Sequence, residues 1–119
     1  MSKPMSQKTN RRPAIRRQAQ AHVFAALGDE TRLALVLKLL DGRGHSISRL
    51  TRGTRLTRQA ITKHLRVLEG AGMVHSAREG RESLFEFNPQ PIIGLTAYID
   101  LVSGEWDRAL ARLKDLVER

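Results

Sequence analysis

A run of polar and basic side chains between residues 57 and 66 has the types and the spacing needed to read nucleic-acid bases. An arginine can pair with O6 and N7 of guanine, and a glutamine with N6 and N7 of adenine. Arg58 and Gln59 supply these two groups side by side. Four further side chains can bind phosphate through a hydroxyl or a cationic group, namely Thr57, Thr62, Lys63 and Arg66. The two threonines can instead contact the methyl group of a thymine. The alternative is a basic helix face that is only solvated.

The distribution of charge favours the nucleic-acid interpretation. The chain has 119 residues and a net charge of +9, and 13 of its 21 lysines and arginines lie in two segments that contain no acid, residues 1–17 and 42–68. The rest of the chain carries eight cations and twelve acids. The positive potential therefore belongs to a tail and one internal segment, which indicates a polyanionic partner. The tail alone could also be a solvated cationic arm.

Two short helices are predicted to position these side chains. Ser46 can cap the first helix, in which Ile47 and Leu50 point inward and which ends near Gly53. Thr57 can cap the second helix, which ends at residues 70–72. The apolar stripe of the second helix consists of Ile61, Leu65 and Leu68. A short helix, a tight turn and a helix with a basic outer face are the elements of a helix-turn-helix.

The segment before this pair predicts a disordered basic arm over residues 1–14, followed by a single domain over residues 15–119. A first helix runs from Ile15 to a C-cap at Gly28, and a second begins at the N-cap Asp29 and stops at Gly42 and Gly44. The predicted stripe of the first helix is Ala19, His22, Val23, Ala26 and Leu27. The predicted stripe of the second is Leu33, Val36, Leu37 and Leu40.

After Gly72 the apolar period changes from helical to two, which predicts strands at residues 73–78 and 84–88 around a loop at 79–82. From Pro91 the helical period returns and continues through Ser103 and Gly104, which favours one long helix over two. Its stripe consists of Ile92, Leu95, Ile99, Val102, Trp106, Leu110, Leu113 and Val117. This stripe is longer than a small domain needs for its own core, so we expect it to pack against a partner helix. Trp106, Leu110, Leu113 and Val117 are the predicted dimerisation residues.

Several classes of function are disfavoured by the composition. The chain has no cysteine, and its four histidines do not fall at metal-ligand spacings, so no metal site and no cofactor are expected. No nucleophile triad or phosphate-binding loop is present, and Asp29 and Glu30 are explained by helix capping, so an enzyme is not expected. No apolar run approaches the length of a membrane span or a secretory signal, which predicts a cytoplasmic protein.

Three segments together resemble the ArsR/SmtB family of winged-helix repressors over roughly residues 20–90: "ALGDETRLALVLKLL", "ISRLTRGTRLTRQAITKHLRVLEGAGMV" and "REGRESLFEFNP". The resemblance implies a homodimer that binds operator DNA through Thr57, Arg58, Gln59, Thr62, Lys63 and His64, with Arg78 and Arg81 in the wing. The chain departs from the family's metal sensors. Ser46 and Ser48 stand where those sensors carry cysteines, and residues 89–119 contain no histidine. Metal sensing at these sites is therefore not expected.

The sequence thus predicts a mainly helical winged helix-turn-helix with a small β-hairpin and a long C-terminal dimerisation helix. Its expected function is that of a dimeric, sequence-specific DNA-binding regulator, most simply a repressor. One alternative is a basic RNA-binding or ribosome-associated protein, and another is a winged helix used only for protein interaction. RNA recognition usually employs exposed aromatic side chains, whereas the five in this chain occupy plausible core positions. These are Phe24, Phe85, Phe87, Tyr98 and Trp106.

Overall fold

The structure is a computed structural model, and it describes residues 17–118 of the chain. The arm predicted for residues 1–14 lies outside the described residues. Helix α1 includes residues 17–27, and the later helices are α2 (Glu30–Leu39), α3 (Ile47–Thr51), α4 (Arg58–Gly70) and α5 (Gln90–Glu118). Strands β1 (Val74–Glu79) and β2 (Glu82–Phe87) form an antiparallel hairpin between α4 and α5. The predicted fold class, mainly helical with a small hairpin, is confirmed.

The starts of α2, α3 and α4 are fixed by local hydrogen bonds. The side-chain oxygens of Asp29, Ser46 and Thr57 each accept a hydrogen bond from the backbone N–H three residues later, at 3.0–3.1 Å. Such a bond satisfies one of the free amides of the first helical turn and contributes about 1 kcal/mol to stability. All three predicted N-caps are therefore confirmed, and α3 and α4 begin where the sequence places them.

The core lies on the inner face of α4. Ile61, Leu65 and Leu68 have no exposed surface, which confirms the stripe predicted for this helix. Helix α4 packs against α2, α3 and β1, so the buried face is covered on three sides. The other fully buried large side chains are Leu35, Leu39, Leu50, Met73 and Phe85. Because its inner face is held in this way, α4 presents its opposite face to solvent.

The stripe predicted for α2 is wrong in three of its four positions. Leu33, Leu37 and Leu40 are 48%, 69% and 54% exposed, and of the predicted set only Val36 is buried. The buried residues of α2 are Leu35, Val36 and Leu39. The helix carries leucine or valine on several sides, so its apolar period does not determine which side faces inward. The packing of α2 against α4 and β2 decides it instead.

The stripe predicted for α1 is confirmed only toward the end of the helix. Val23 and Ala26 are buried and Leu27 packs against the core, whereas Ala19 and His22 are exposed. The physical reason is that the core packs against only the C-terminal part of α1, so the residues nearer its N-terminus remain exposed.

The hairpin is tighter than predicted. The two strands pair from Val74 with Phe87 to Glu79 with Glu82, which leaves a turn of two residues rather than the expected loop at 79–82. Gly80 has a φ of +62°, a conformation that glycine adopts readily and that two-residue hairpins require. An isolated β-bridge beside the hairpin was missed by the sequence analysis. His45 exchanges two backbone hydrogen bonds with Phe85, at 2.9 and 2.8 Å.

Helix α5 is continuous over 29 residues and passes through Ser103 and Gly104 without a break, as predicted. Leu95, near its start, is 6% exposed and belongs to the core. Beyond Leu95 the described chain buries no residue of this helix. A helix of this length extends about 43 Å, which is longer than the small domain beneath it can cover.

Candidate nucleic-acid interface

The side chains predicted to contact DNA bases lie on the solvent-exposed surface of α4. Arg58 and Gln59 lie in the first turn of the helix and are exposed, and Lys63 is exposed one turn later. The side chains of Ile61 and Leu65 anchor the opposite face in the core. The structure thus brings the guanidinium, amide and ammonium groups to one rigid surface, which is the arrangement needed to enter a major groove.

The two threonines of this helix already have structural hydrogen bonds. Thr57 accepts from the backbone N–H of Ala60 at 3.0 Å as the N-cap. Thr62 is half-buried and donates its hydroxyl to the carbonyl oxygen of Arg58 at 2.8 Å. Thr57 therefore keeps its O–H, which can donate to a DNA phosphate. Thr62 has used its O–H on Arg58, so it can contact DNA only through its lone pairs or its methyl group.

Arg66 is engaged within the chain. Its Nη1 lies 3.0 Å from Oε1 of Glu69, and the hydroxyl of Ser76 on β1 donates to Oε2 of the same carboxylate at 3.3 Å. The arginine side chain is 65% exposed, so it remains accessible to a phosphate. The carboxylate nevertheless competes for it, which distinguishes Arg66 from Lys63.

His64 points toward α2 rather than away from the protein. Its side chain is 24% exposed, and Nδ1 lies 3.2 Å from Nη1 of Arg32. Asp29, the cap of α2, lies nearby, and a hydrogen bond from the backbone N–H of Arg32 holds the pKa of this carboxyl below its usual value. His64 therefore lies at the contact between α2 and α4.

A shallow basic cleft beside Arg58 was missed by the sequence analysis. It has a volume of about 400 Å³ and lies between the end of α3 and the start of α4. Its lining residues are Ser48, Thr51, Arg52, Gly53, Thr54 and Arg58. Guanidinium and hydroxyl groups around a concavity suit a DNA backbone phosphate. The acid-free segment of the sequence contained this signal, since Arg52 and Thr54 lie in its middle.

The hairpin presents both signs of charge at its tip. Arg78 and Arg81 are exposed, as a DNA-contacting wing requires. Glu79 and Glu82 are paired directly opposite each other between these two arginines. The tip therefore has no excess positive charge, and attraction to DNA depends on the arginines lying closer to the phosphates than the glutamates do.

The predicted dimerisation residues form an exposed apolar face on α5. Trp106, Leu110, Leu113 and Val117 are 61%, 55%, 58% and 84% exposed. A groove of about 460 Å³ runs along the same helix, lined by residues that include Tyr98, Leu101 and Trp106. An apolar surface of this extent on a single helix is typical of an interaction site.

The aromatic side chains are not all in the core as predicted. Phe85 is buried and Phe87 packs against the core, but Phe24 and Trp106 are 48% and 61% exposed. These two residues lie on α1 and α5, on surfaces that the core of the described chain does not cover. The outer face of α4 and the hairpin tip carry no exposed aromatic side chain.

The histidines are dispersed, and within residues 17–118 no three histidine or carboxylate side chains are grouped so that they could hold a metal ion. His45 is buried, with Nε2 2.9 Å from Oδ2 of Asp41, and His75 lies 3.6 Å from Glu86 across the hairpin. Ser46 serves as the cap of α3.

Within residues 17–118, no helix has both the length and the apolar character to cross a membrane.

Comparison with known proteins gives matches in sequence and in fold. A family model described as a helix-turn-helix domain matches residues 27–77. The HTH-type transcriptional regulator YuzN of Bacillus subtilis (strain 168) is 39% identical over 79 residues, which cover 61% of this chain and 86% of that protein. An ArsR-like transcriptional regulator from Rhodococcus sp. RHA1 is 36% identical with a TM-score of 0.72, over 83% of this chain and 92% of the other.

A third match is informative for the fold. The homodimeric winged helix-turn-helix DNA-binding domain Mb0332 of Mycobacterium bovis has a TM-score of 0.63 and 23% identity, over 80% of this chain and 86% of the other. The hairpin after α4 thus occupies the position of a wing.

Proposed function

This chain belongs to the ArsR family of winged helix-turn-helix transcriptional regulators, and we propose that within this family it is a dimeric, cytoplasmic repressor that binds operator DNA without a metal effector. The observation that carries the proposal is the outer face of α4. Its exposed side chains include Arg58, Gln59, Lys63 and Arg66, whereas Ile61, Leu65 and Leu68 are fully buried, so the core fixes the helix and leaves these polar groups accessible to DNA. Repression follows if the occupied operator overlaps the promoter.

The proposal is tested by a gel-shift comparison of three nucleic acids at one salt concentration. Duplex DNA from the promoter of the protein's own gene should be retained at lower protein concentration than random duplex DNA or structured RNA. Equal retention of RNA would favour the RNA-binding alternative. The absence of exposed aromatic residues from α4 and from the hairpin tip argues against that alternative, because single-stranded RNA is usually held by stacking.

Arg58→Ala and Gln59→Ala are each expected to weaken operator binding by about 1–3 kcal/mol and to change binding to random DNA little, because paired contacts to a base edge discriminate by that amount. Lys63→Ala is the matched control on the same exposed face. It should weaken binding to both DNAs alike, since an ammonium group binds phosphate. Titrations of each variant on both DNAs measure the difference. Equal losses for Arg58→Ala on the two DNAs would assign Arg58 to the phosphates.

The dimer is supported by the apolar face of α5 and by the homodimeric state of the M. bovis domain. Two copies related by a two-fold axis place two α4 helices in successive major grooves. The operator is then a near-palindrome whose half-sites lie about one helical turn apart.

Zinc, cadmium or arsenite is expected to leave the protein bound to its operator. The physical reason is the ligand set, since Ser46 is engaged as a helix cap and the described histidines pair with protein groups or stand apart. Gel shifts with each ion at micromolar concentration provide the measurement, and magnesium serves as the control for ionic strength. Release by any of the three ions would show that a site of histidine and carboxylate ligands forms in the dimer.

A further inference from the structure

Arg32 joins three helices through one guanidinium group. Its Nε donates to the carbonyl oxygen of Ala26 at 2.6 Å, and its Nη2 donates to that of Ala25 at 3.3 Å. Both carbonyls belong to the last turn of α1, where backbone acceptors need partners from outside the helix. The third contact is the one to His64 on α4. Arg32 therefore connects the C-terminal end of α1 with α4 through hydrogen bonds.

The contact with His64 fixes the position of the proton on the imidazole ring. Nη1 of Arg32 lies 3.2 Å from Nδ1 of His64, and an arginine can only donate. Nδ1 must then accept, so the proton of the neutral ring resides on Nε2. Asp29 Oδ2 is the other charged group beside Nδ1, and at 3.8 Å it lies beyond hydrogen-bond distance.

The second ring nitrogen of His64 is left with a free donor. Nε2 makes no hydrogen bond within the described residues, and it is not among the fully buried polar atoms there. His64 lies at the flank of α4, between the exposed Lys63 and the buried Leu65. When a helix occupies a major groove its outermost face meets the bases, whereas its flanks meet the sugar-phosphate walls.

We propose that Arg32 is a positioning residue for DNA binding, because it holds His64 in the tautomer whose Nε2–H donates to a backbone phosphate of the operator. The inference rests on the proposed docking of α4 in the major groove. It gives Arg32 a role beyond capping α1, and it assigns His64 a phosphate contact and not a base contact.

The first test uses the free, full-length protein and needs no DNA. Proton–nitrogen correlation spectra of the imidazole groups at neutral pH should show His64 with an unprotonated Nδ1 and a protonated Nε2. In Arg32→Gln the shift of Nδ1 should move, because the donor to that nitrogen is removed. The exposed His75 serves as an internal control whose shifts should be the same in both proteins. A proton on Nδ1 of His64 in the unmodified protein would overturn the proposal.

The second test is a double-mutant cycle on operator binding. Arg32→Gln and His64→Ala should each raise Kd about tenfold for each half-site, the size expected for one charge-assisted hydrogen bond per protomer. In the His64→Ala background, Arg32→Gln should add less than about a twofold change, which is within the error of additivity for independent sites. His64→Gln, which keeps an amide N–H near the position of Nε2, should restore most of the affinity.

Equal effects of Arg32→Gln in both backgrounds would overturn the proposal, since the arginine would then act through its charge or through α1 alone. That result leaves the proposed function intact as long as the unmodified protein binds its operator. Failure of the unmodified protein to bind would instead contradict the proposed function together with this inference. If Arg32→Gln does not fold, as judged by thermal unfolding, Arg32→Lys replaces it in the cycle.

Discussion

The double variant Trp106→Glu, Leu110→Glu is expected to sediment as a folded monomer. Both side chains are more than half exposed in the single chain, so charging them costs the domain little of its own stability. In the proposed dimer they are buried against the partner, and burial of each large apolar side chain contributes roughly 1.5–3 kcal/mol. Replacing two on each protomer therefore removes several kcal/mol of association free energy. Sedimentation velocity measures the assembly state, and circular dichroism confirms that the helices remain.

The same variant should lose most of its affinity for the operator although α4 is unchanged. Two half-sites held by one dimer bind with a high effective concentration that separate domains lack. The control is Arg108→Gln, Ala111→Glu, which makes the same change in net charge on the opposite side of α5 and should remain dimeric. A variant that stays dimeric would place the interface elsewhere. A monomer that binds the operator as tightly as the unmodified protein would contradict recognition by a two-fold dimer.

The parts of the fold that could be predicted from the sequence are those set by neighbouring residues. Asp29, Ser46 and Thr57 each bond to a backbone N–H three residues away, so a short window contains the whole interaction. The stripe of α4 was equally clear, because Ile61, Leu65 and Leu68 recur at helical spacing and most of the remaining positions are polar. In α2 the same reasoning failed, since leucines at 33, 37 and 40 compete with those at 35 and 39 for the inward side.

The candidate site was predictable in its residue types but not in its internal contacts. Arg58, Gln59 and Lys63 were selected by their side-chain types and by their separation from the apolar stripe, and the structure leaves all three exposed. The pairing of Arg32 with His64 joins positions 32 residues apart, and no local pattern encodes the angle at which α2 meets α4. Arg66 is a different case. Its partner Glu69 lies three residues later on the same helix, which is a spacing at which opposite charges commonly meet.

Operator affinity is expected to fall by about 10⁴ between 50 and 200 mM salt, within the 10³–10⁵ range for a dimer that neutralises six to ten phosphates. Four exposed cations on the turn and on α4 make no ion pair within residues 17–118, and two protomers supply eight. These cations are Arg52, Arg55, Arg58 and Lys63. Each neutralised phosphate releases condensed counterions, so the slope of log affinity against log salt should be about −7 for eight contacts. Titrations at four or more salt concentrations give the slope.

The ion pair of Arg66 makes this measurement specific to the structure. Lys63→Ala removes an unpaired cation from each protomer and should make the slope shallower by about 2 per dimer, at about one contact each. Arg66→Ala should change the slope less, because Glu69 already competes with the DNA for that guanidinium at 3.0 Å. Removing the carboxylate abolishes this difference, so in a Glu69→Gln background Arg66→Ala should affect the slope as strongly as Lys63→Ala does. A slope near zero for the unmodified protein would contradict DNA binding through these cations. Equal effects of Lys63→Ala and Arg66→Ala in the presence of Glu69 would show that the ion pair between Arg66 and Glu69 breaks when the protein binds DNA.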